Sequence, residues 1–176
     1  MRLEDFELGQ VNDWAGFMLI RVFPDNAEGL SDERREEAKL HIPLGYVFVI
    51  DPKFGPTVQY KLPAGHRNSG ETPFDTAIRE VQGETGISVP PDRVVYTGKQ
   101  LSHRGDHWRT LFVGDIFERE LRQMHDFDVE NEGEKPKYFT VAEFYECVRT
   151  GNFMRPHFKM LEDFALILPF GRDKVA

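Results

Sequence analysis

Short runs of β-branched and aromatic residues alternate along this chain with longer segments whose apolar positions recur every three or four residues, a pattern of strands interleaved with helices. Residues 15–23 and 46–50 are apolar and β-rich, each followed by turn formers, and residues 58–62 form a third such run. Residues 93–97 and 108–117 read as two further strands, and the polar, glycine-containing segment 98–107 between them predicts a hairpin or meander. Over residues 72–86 the period changes. Phe74, Ile78, Val81 and Thr85 fall on one helical stripe, Thr72 supplies a capping hydroxyl, Pro73 suits the first turn, and Asp75 completes a capping box. Gly86 is placed where a helix ends left-handed, so the helix spans about three and a half turns. Three more helices are expected. One covers residues 31–39, capped by Ser31 with Pro43 beyond it. A second starts at the Thr140 and Glu143 capping box, ahead of Phe144, Tyr145 and Val148, and stops at Gly151. The last starts near Pro156 and buries Phe158, Leu161, Ala165 and Leu168 before Pro169.

Glu80 and Glu84 sit one turn apart on the 72–86 helix, off its apolar stripe. Like charges at that spacing repel by a few tenths of a kcal/mol on a bare helix, about 0.2–0.5. Two readings follow: an acidic, solvated helix face, or a pair of carboxylates compensated by a hard divalent cation. The surrounding residues decide between them. Gly65, Glu71, Arg79, Glu80, Val81, Glu84, Gly86 and Ile87 stand at the offsets of a glycine turn followed by a helix, and the stretch 65–87 resembles the Nudix box. One position departs from the family pattern: Gly83 stands where the first of the paired glutamates is expected.

The resemblance implies a single α/β domain, a Nudix-type α/β/α sandwich with a mixed central sheet, covering roughly residues 12–168. It also implies a magnesium ion, with manganese as a substitute, held by the Ala64 carbonyl, Glu80 and Glu84. In the family Arg79 orients the carboxylates, and Glu71 is a structural partner near the helix start. A further glutamate in a later loop commonly binds metal or takes the proton of the attacking water. Glu132, six residues before Tyr138, is the first choice here and Glu134 the second. Gly83 removes a carboxylate and costs the helix about 0.5–1 kcal/mol relative to alanine. Two explanations are open, a close approach of backbone or ligand at that turn and an eroded metal site.

The segment 102–109 collects Arg104, Trp108 and Arg109 beside His103 and His107. Those are cations for phosphate, an indole for stacking and imidazoles for hydrogen bonding, which makes Arg104, Trp108 and Arg109 candidate substrate-binding residues. A polar turn at a strand end is the alternative. Residues 24–45 intervene between the first two strands as an inserted helix or lid, either a solvated helix or an element of specificity or dimerisation.

The chain has 176 residues, a length that suits one domain burying about 70% of its unfolded surface. Its formal net charge of -8 argues against binding nucleic acid polymers or anionic membranes. Cys147 is the sole cysteine, so no internal disulfide and no thiolate metal cluster can form. Neither a secretory signal nor an apolar run of membrane-spanning length is present, so a cytoplasmic protein is expected.

The Nudix resemblance implies a metal-dependent hydrolase that splits the diphosphate of a nucleoside diphosphate linked to another group. Leu62-Pro63-Ala64-Gly65 resembles the stretch found in many family members that act on nucleotide sugars, so the resemblance favours a nucleotide sugar such as ADP-ribose. A nucleoside triphosphate pyrophosphohydrolase, or a catalytically silent module that binds a nucleotide, are the alternatives, with a homodimer as a further possibility.

Overall fold

The computed structural model describes residues 12–37, 42–51, 59–125 and 134–167. Its centre is a sheet of seven strands among these residues: β1 (Trp14–Phe23), β2 (Gly45–Asp51), β3 (Gln59–Lys61), β4 (Ala64–His66), β5 (Val94–Leu101), β6 (Trp108–Phe117) and β7 (Lys135–Thr140). Four helices accompany them: α1 (Asp32–Glu37), α2 (Pro73–Thr85), α3 (Val141–Arg149) and α4 (Arg155–Asp163). The strand order is β3-β2-β1-β6-β5, with β4 also on β1 and β7 on β2. β1 and β6 run parallel in register from Trp14 opposite Trp108 to Phe23 opposite Phe117, while the other pairs are antiparallel. The sheet is therefore mixed, as expected.

Each face of the sheet carries its own core. Phe17, Leu19, Phe48, Leu111 and Phe139 meet Phe144 of α3 and Met160 and Leu161 of α4 on one side. Met18, Ile20, Val22, Phe112 and Ile116 meet Ala77 and Val81 of α2 on the other. Alternation along β1 explains the sorting, because successive side chains of a strand point to opposite faces. Helices on both faces make the expected three-layer sandwich.

What places the box is a split in the sheet. β1 pairs with β2 only over Ile20, Arg21 and Val22, then leaves it and pairs with β4 over Ala15, Gly16 and Phe17. β2 continues past the fork paired with β3. Leu62 and Pro63 pass between the diverging strands, and the Pro63 carbonyl accepts the Met18 N–H at 3.1 Å. α2 closes the fork from below. Gly16 lies under its first turn, where a Cβ would come within 2.6 Å of the Ala77 nitrogen and 2.8 Å of the Pro73 carbonyl oxygen.

The caps of α2 follow the sequence. Thr72 and Asp75 exchange both capping hydrogen bonds, and Gly86 turns left-handed at φ 80°. The buried residues of this helix are Thr76, Ala77, Val81, Glu84 and Thr85, so the inward stripe is rotated from the expected one, with Phe74 and Ile78 at its margin. Thr140 and Glu143 cap α3 in the same way.

Three expectations change. α4 stops at Asp163, and Ala165 is exposed with φ 52° instead of buried in the helix. Residues 135–140, which follow Glu134 in the stretch expected to be a loop, form β7, whose Pro136 is tolerated because β2 is its only strand neighbour among the described residues. The short β4 went unseen inside the box turn. The inserted segment contains a 3-10 turn (Asp25–Ala27) and α1, whose Ser31 hydroxyl accepts the Arg34 N–H at 3.4 Å. Lys39, Val58, Glu132 and Leu168 lie outside the described residues, so those parts of the expected elements are not placed. Among the described residues no helix is long and apolar enough to cross a membrane.

A methyl group at Gly16 must push α2 off β1. Gly16→Ala is expected to lower stability by about 1–3 kcal/mol, read as a lower urea midpoint with an unchanged slope.

Candidate functional site

The box turn is held at every residue. The Leu62 N–H donates to His157 Nδ1 at 3.1 Å, tying the turn to α4, and the Ala64 N–H donates to Glu84 Oε2 at 3.0 Å, tying it to α2. A Cβ on Gly65 would lie 2.1 Å from Glu80 Oε1 and 2.3 Å from its carboxyl carbon. Only glycine lets the Glu80 carboxylate lie flat against the turn, which gives the first fixed position of the motif a steric reason.

Arg79 organises the start of the site. Its Nε and Nη2 donate to Glu71 at 2.7 and 3.1 Å, its Nη1 to Glu80 Oε1 at 2.6 Å, and Nη2 also to the His66 carbonyl at 2.9 Å. The fork of the guanidinium suits this work, since it offers planar, fixed donors to two carboxylates at once. The Arg79 hydrogen bond, followed by the Asn68 N–H, holds the Glu71 carboxyl down to about 2. Arg79 in turn binds its proton more tightly, chiefly through Glu71.

A second cluster lies deeper. Lys61 Nζ is 3.0 Å from Glu84 Oε1 and 2.6 Å from Glu134 Oε1, and all three side chains are buried. Burial lowers the Lys61 pKa, but Glu84 and then Glu134 outweigh it and raise it above the ordinary lysine value. In Glu84 burial prevails. Burial first, and then the hydrogen bond with Glu134, push its carboxyl well above the usual range against the pull of Lys61. Two acids facing one ammonium in a dry site are tightly coupled, so both shifts describe one arrangement.

The two expected carboxylates thus reach the same turn by different routes. Glu80 lies against Gly65 and is oriented by Arg79; Glu84 is buried between Lys61 and the Ala64 N–H. Arg79, Ala64, Glu80 and Glu84 are brought together, and Glu134 joins them. Glu132 lies outside the described residues. The donors are the hard oxygen ligands a divalent ion of the magnesium class takes, so the set fits such an ion in kind. In arrangement, no three His, Cys, Asp or Glu side chains among the described residues form a ready-made metal cage, and Lys61 is the cation between Glu84 and Glu134.

Gly83 faces open space: nothing lies within 4 Å of where its Cβ would be. Close approach of a neighbouring group among the described residues therefore does not explain it. The residue lines a hollow of about 710 Å³ on the outer side of α2, together with Phe74, Ile78 and Arg79, and neither Glu80 nor Glu84 reaches that surface.

Two other cavities meet at Arg109. The smaller, about 230 Å³, is lined by Lys61, Ala64, Gly65, His66, His107 and His157 among others. The larger, about 490 Å³, includes His103, Arg155 and Lys159. Arg109 belongs to both, with Nη2 3.3 Å from His103 Nδ1. Of the expected substrate-binding residues only Arg109 lines these cavities. Arg104 is exposed on the turn, and Trp108 packs under Lys99, whose Nζ sits 4.6 Å from the ring centre. The turn itself is closed internally, Ser102 Oγ donating to Asp106 Oδ1 at 2.5 Å and His107 Nδ1 lying 2.7 Å from the same oxygen.

Lys61, His157, Arg155 and Lys159 were not singled out from the sequence. Lys61 sits three residues before Ala64 in a short strand, where a lysine ordinarily points to solvent; only the fork turns it inward. His157 accepts the Leu62 N–H on Nδ1, so its proton resides on Nε2. Its ring packs edge-on against Phe17 at 5.2 Å. Burial, then the charges of Lys61 and Arg109, push it down to about 3 from 6.5.

That depression sets a direction for stability. As pH falls below 6.5 the unfolded chain takes up the proton before the folded one, so the contribution of His157 is complete above 6.5 and is lost as pH falls toward about 3. Between about pH 7.5 and about pH 5, urea denaturation should show the native chain losing about 1–2 kcal/mol more than His157→Gln. Gly83→Ala, with open space around it, should raise stability by about 0.5–1 kcal/mol, measured as a higher urea midpoint.

The model of the NUDIX domain matches residues 45–164, more than half of the chain. The central strand β1 lies ahead of the matched span. No curated protein matches the chain at a significant level. Among solved structures, a NUDIX hydrolase from Nitrosomonas europaea is similar at 19% sequence identity and a TM-score of 0.48, covering 90% of this chain and 99% of its own. With its box assembled around a turn in a split sheet and its domain matched over that whole region, the chain belongs to the NUDIX family.

Proposed function

We propose that this chain is a hydrolase that binds a nucleoside diphosphate linked to a second group and splits the diphosphate with water. A nucleotide sugar such as ADP-ribose is the favoured substrate class. The observation that supports it is the position of Arg109, shared by a cavity that reaches Ala64 and Gly65 and by a larger one bearing Arg155 and Lys159. A diphosphate seated on Arg109 would lie beside the box turn, with one side of the substrate in each cavity. An acidic chain that recognises a phosphate does so through such a local cationic patch.

In this reading Arg109 binds and orients the phosphate chain, and Arg155 and Lys159 add charge along the larger cavity. Arg79 holds Glu80 against the turn, and His157 fixes the strand that leads into it. Magnesium, or manganese in its place, would be held by Glu80, Glu84 and the Ala64 carbonyl with Glu132 or Glu134, and when bound would neutralise phosphate charge and acidify water. The glutamates near the turn are the candidates for accepting the proton of the attacking water. A nucleoside triphosphate is the alternative substrate.

A second reading has specific support. Both oxygens of Glu84 are engaged by Lys61 and the Ala64 N–H, and Gly83 brings no carboxylate. A module that binds a nucleotide without cleaving it meets those facts as well.

Release of nucleoside monophosphate from a panel of nucleotide sugars and triphosphates, with magnesium and manganese varied, separates the readings. The hydrolase predicts turnover on a nucleoside diphosphate conjugate, a loss of about 100-fold or more in kcat for Glu80→Gln, and a KM raised about tenfold or more in Arg109→Ala. Nucleotide binding without turnover establishes the silent module, and neither binding nor turnover defeats both readings.

A further inference from the structure

The Lys61 ammonium supplies Glu84 with the positive charge that the box resemblance assigns to a metal ion. It lies 2.6 Å from Glu134 and 3.0 Å from Glu84, on a side chain that is 8% exposed, and the remaining Glu84 oxygen is taken by the Ala64 N–H. Lys61 also lines the small cavity that Ala64, Gly65 and Arg109 share. A compact ammonium on a four-carbon stem can leave its partners by rotating, which the planar, doubly bonded guanidinium of Arg79 cannot do without breaking several hydrogen bonds at once. The fold thus holds one carboxylate, Glu80, in a fixed orientation and another, Glu84, under an exchangeable cation.

We propose that Lys61 is an internal competitor for the divalent cation of this site: the lysine and a metal ion hold Glu84 and Glu134 in mutually exclusive states, and metal enters only as the ammonium leaves. Each carboxylate oxygen has few acceptor directions, and those aimed at Nζ cannot also be aimed at a metal. A doubly charged ion beside an undisplaced ammonium would meet direct repulsion in a buried site. Lys61 keeps the two acids compensated without metal, and thereby sets how much metal is needed.

The inference rests on the proposed use of metal by the box, but it is read without substrate. Manganese is titrated into the full chain with no nucleotide present, and free Mn2+ is followed by its electron paramagnetic resonance signal. Lys61→Gln is expected to tighten Mn2+ binding at least about tenfold, and adding Glu84→Gln to that variant is expected to abolish the gain. Lys61→Arg, which keeps a cation, should bind Mn2+ no better than the native chain. Unchanged affinity in Lys61→Gln, or a gain that survives Glu84→Gln, overturns the proposal. Lys61→Gln leaves two acids without their cation and can fail to fold, so a measurement on the native chain stands beside it. Acetylation of Lys61 by acetic anhydride, read by mass spectrometry, should rise severalfold at saturating Mg2+, as the amine leaves its carboxylates. Saturation with no change in Lys61 labelling also overturns it. Absence of turnover on every nucleotide tested would defeat the proposed hydrolase and leave these titrations standing.

Discussion

The fork between β1 and β2 is the constraint from which the site follows. A continuous antiparallel pair would leave no room for a turn at this depth of the sheet. Because β1 pairs with β4 up to Phe17 and with β2 only from Ile20 onward, a gap opens that Leu62 and Pro63 fill, and the backbone groups exposed by the fork find partners there: Met18 with Pro63, Leu62 with His157, Ala64 with Glu84. Buried backbone polar groups must be paired, so the fork cannot close or widen without leaving one of these unsatisfied. The chemistry-bearing turn is thereby anchored to both layers of helices at once.

Charge is arranged around that turn in two tiers with different physical character. The outer tier, Glu71, Arg79 and Glu80, is partly solvated and geometrically rigid, a guanidinium spread over two carboxylates and a carbonyl. The inner tier, Lys61, Glu84 and Glu134, is buried and compact, one ammonium held between two acids. Rigidity in the first serves orientation. In the second, the ammonium between the two acids is what permits them to be placed out of reach of water. Arg109 and Lys61 line the small cavity beside the turn, and Arg155 and Lys159 extend the positive charge along the larger one.

Much of the local structure was legible. Thr72, Pro73, Asp75 and Gly86 delimit α2, and Thr140 and Glu143 start α3, because caps depend on residues within three or four positions of each other. The longer strands were legible from β-rich apolar runs for the same reason. β7 was not, since Lys135, Pro136 and Lys137 carry no alternating apolar signal and the strand exists through its pairing with β2. α4 ended early because the chain turns left-handed at Ala165, one residue past the Phe164 cap, a conformation nothing in the residue type announces.

The motif at 65–87 determined, by its residue types and spacing alone, that a glycine turn, a capped helix and two carboxylates a turn apart belong together. All of that is short-range, set by helix geometry and by the absence of a side chain at Gly65. Which cation the deeper carboxylate meets was decided by the tertiary structure, since Lys61, Glu84 and Glu134 are far apart along the chain and converge only because the sheet forks. Likewise Arg109 and His157 become part of the site through the packing of β6 and α4 around that fork, a long-range outcome of burial and backbone pairing that no local pattern encodes.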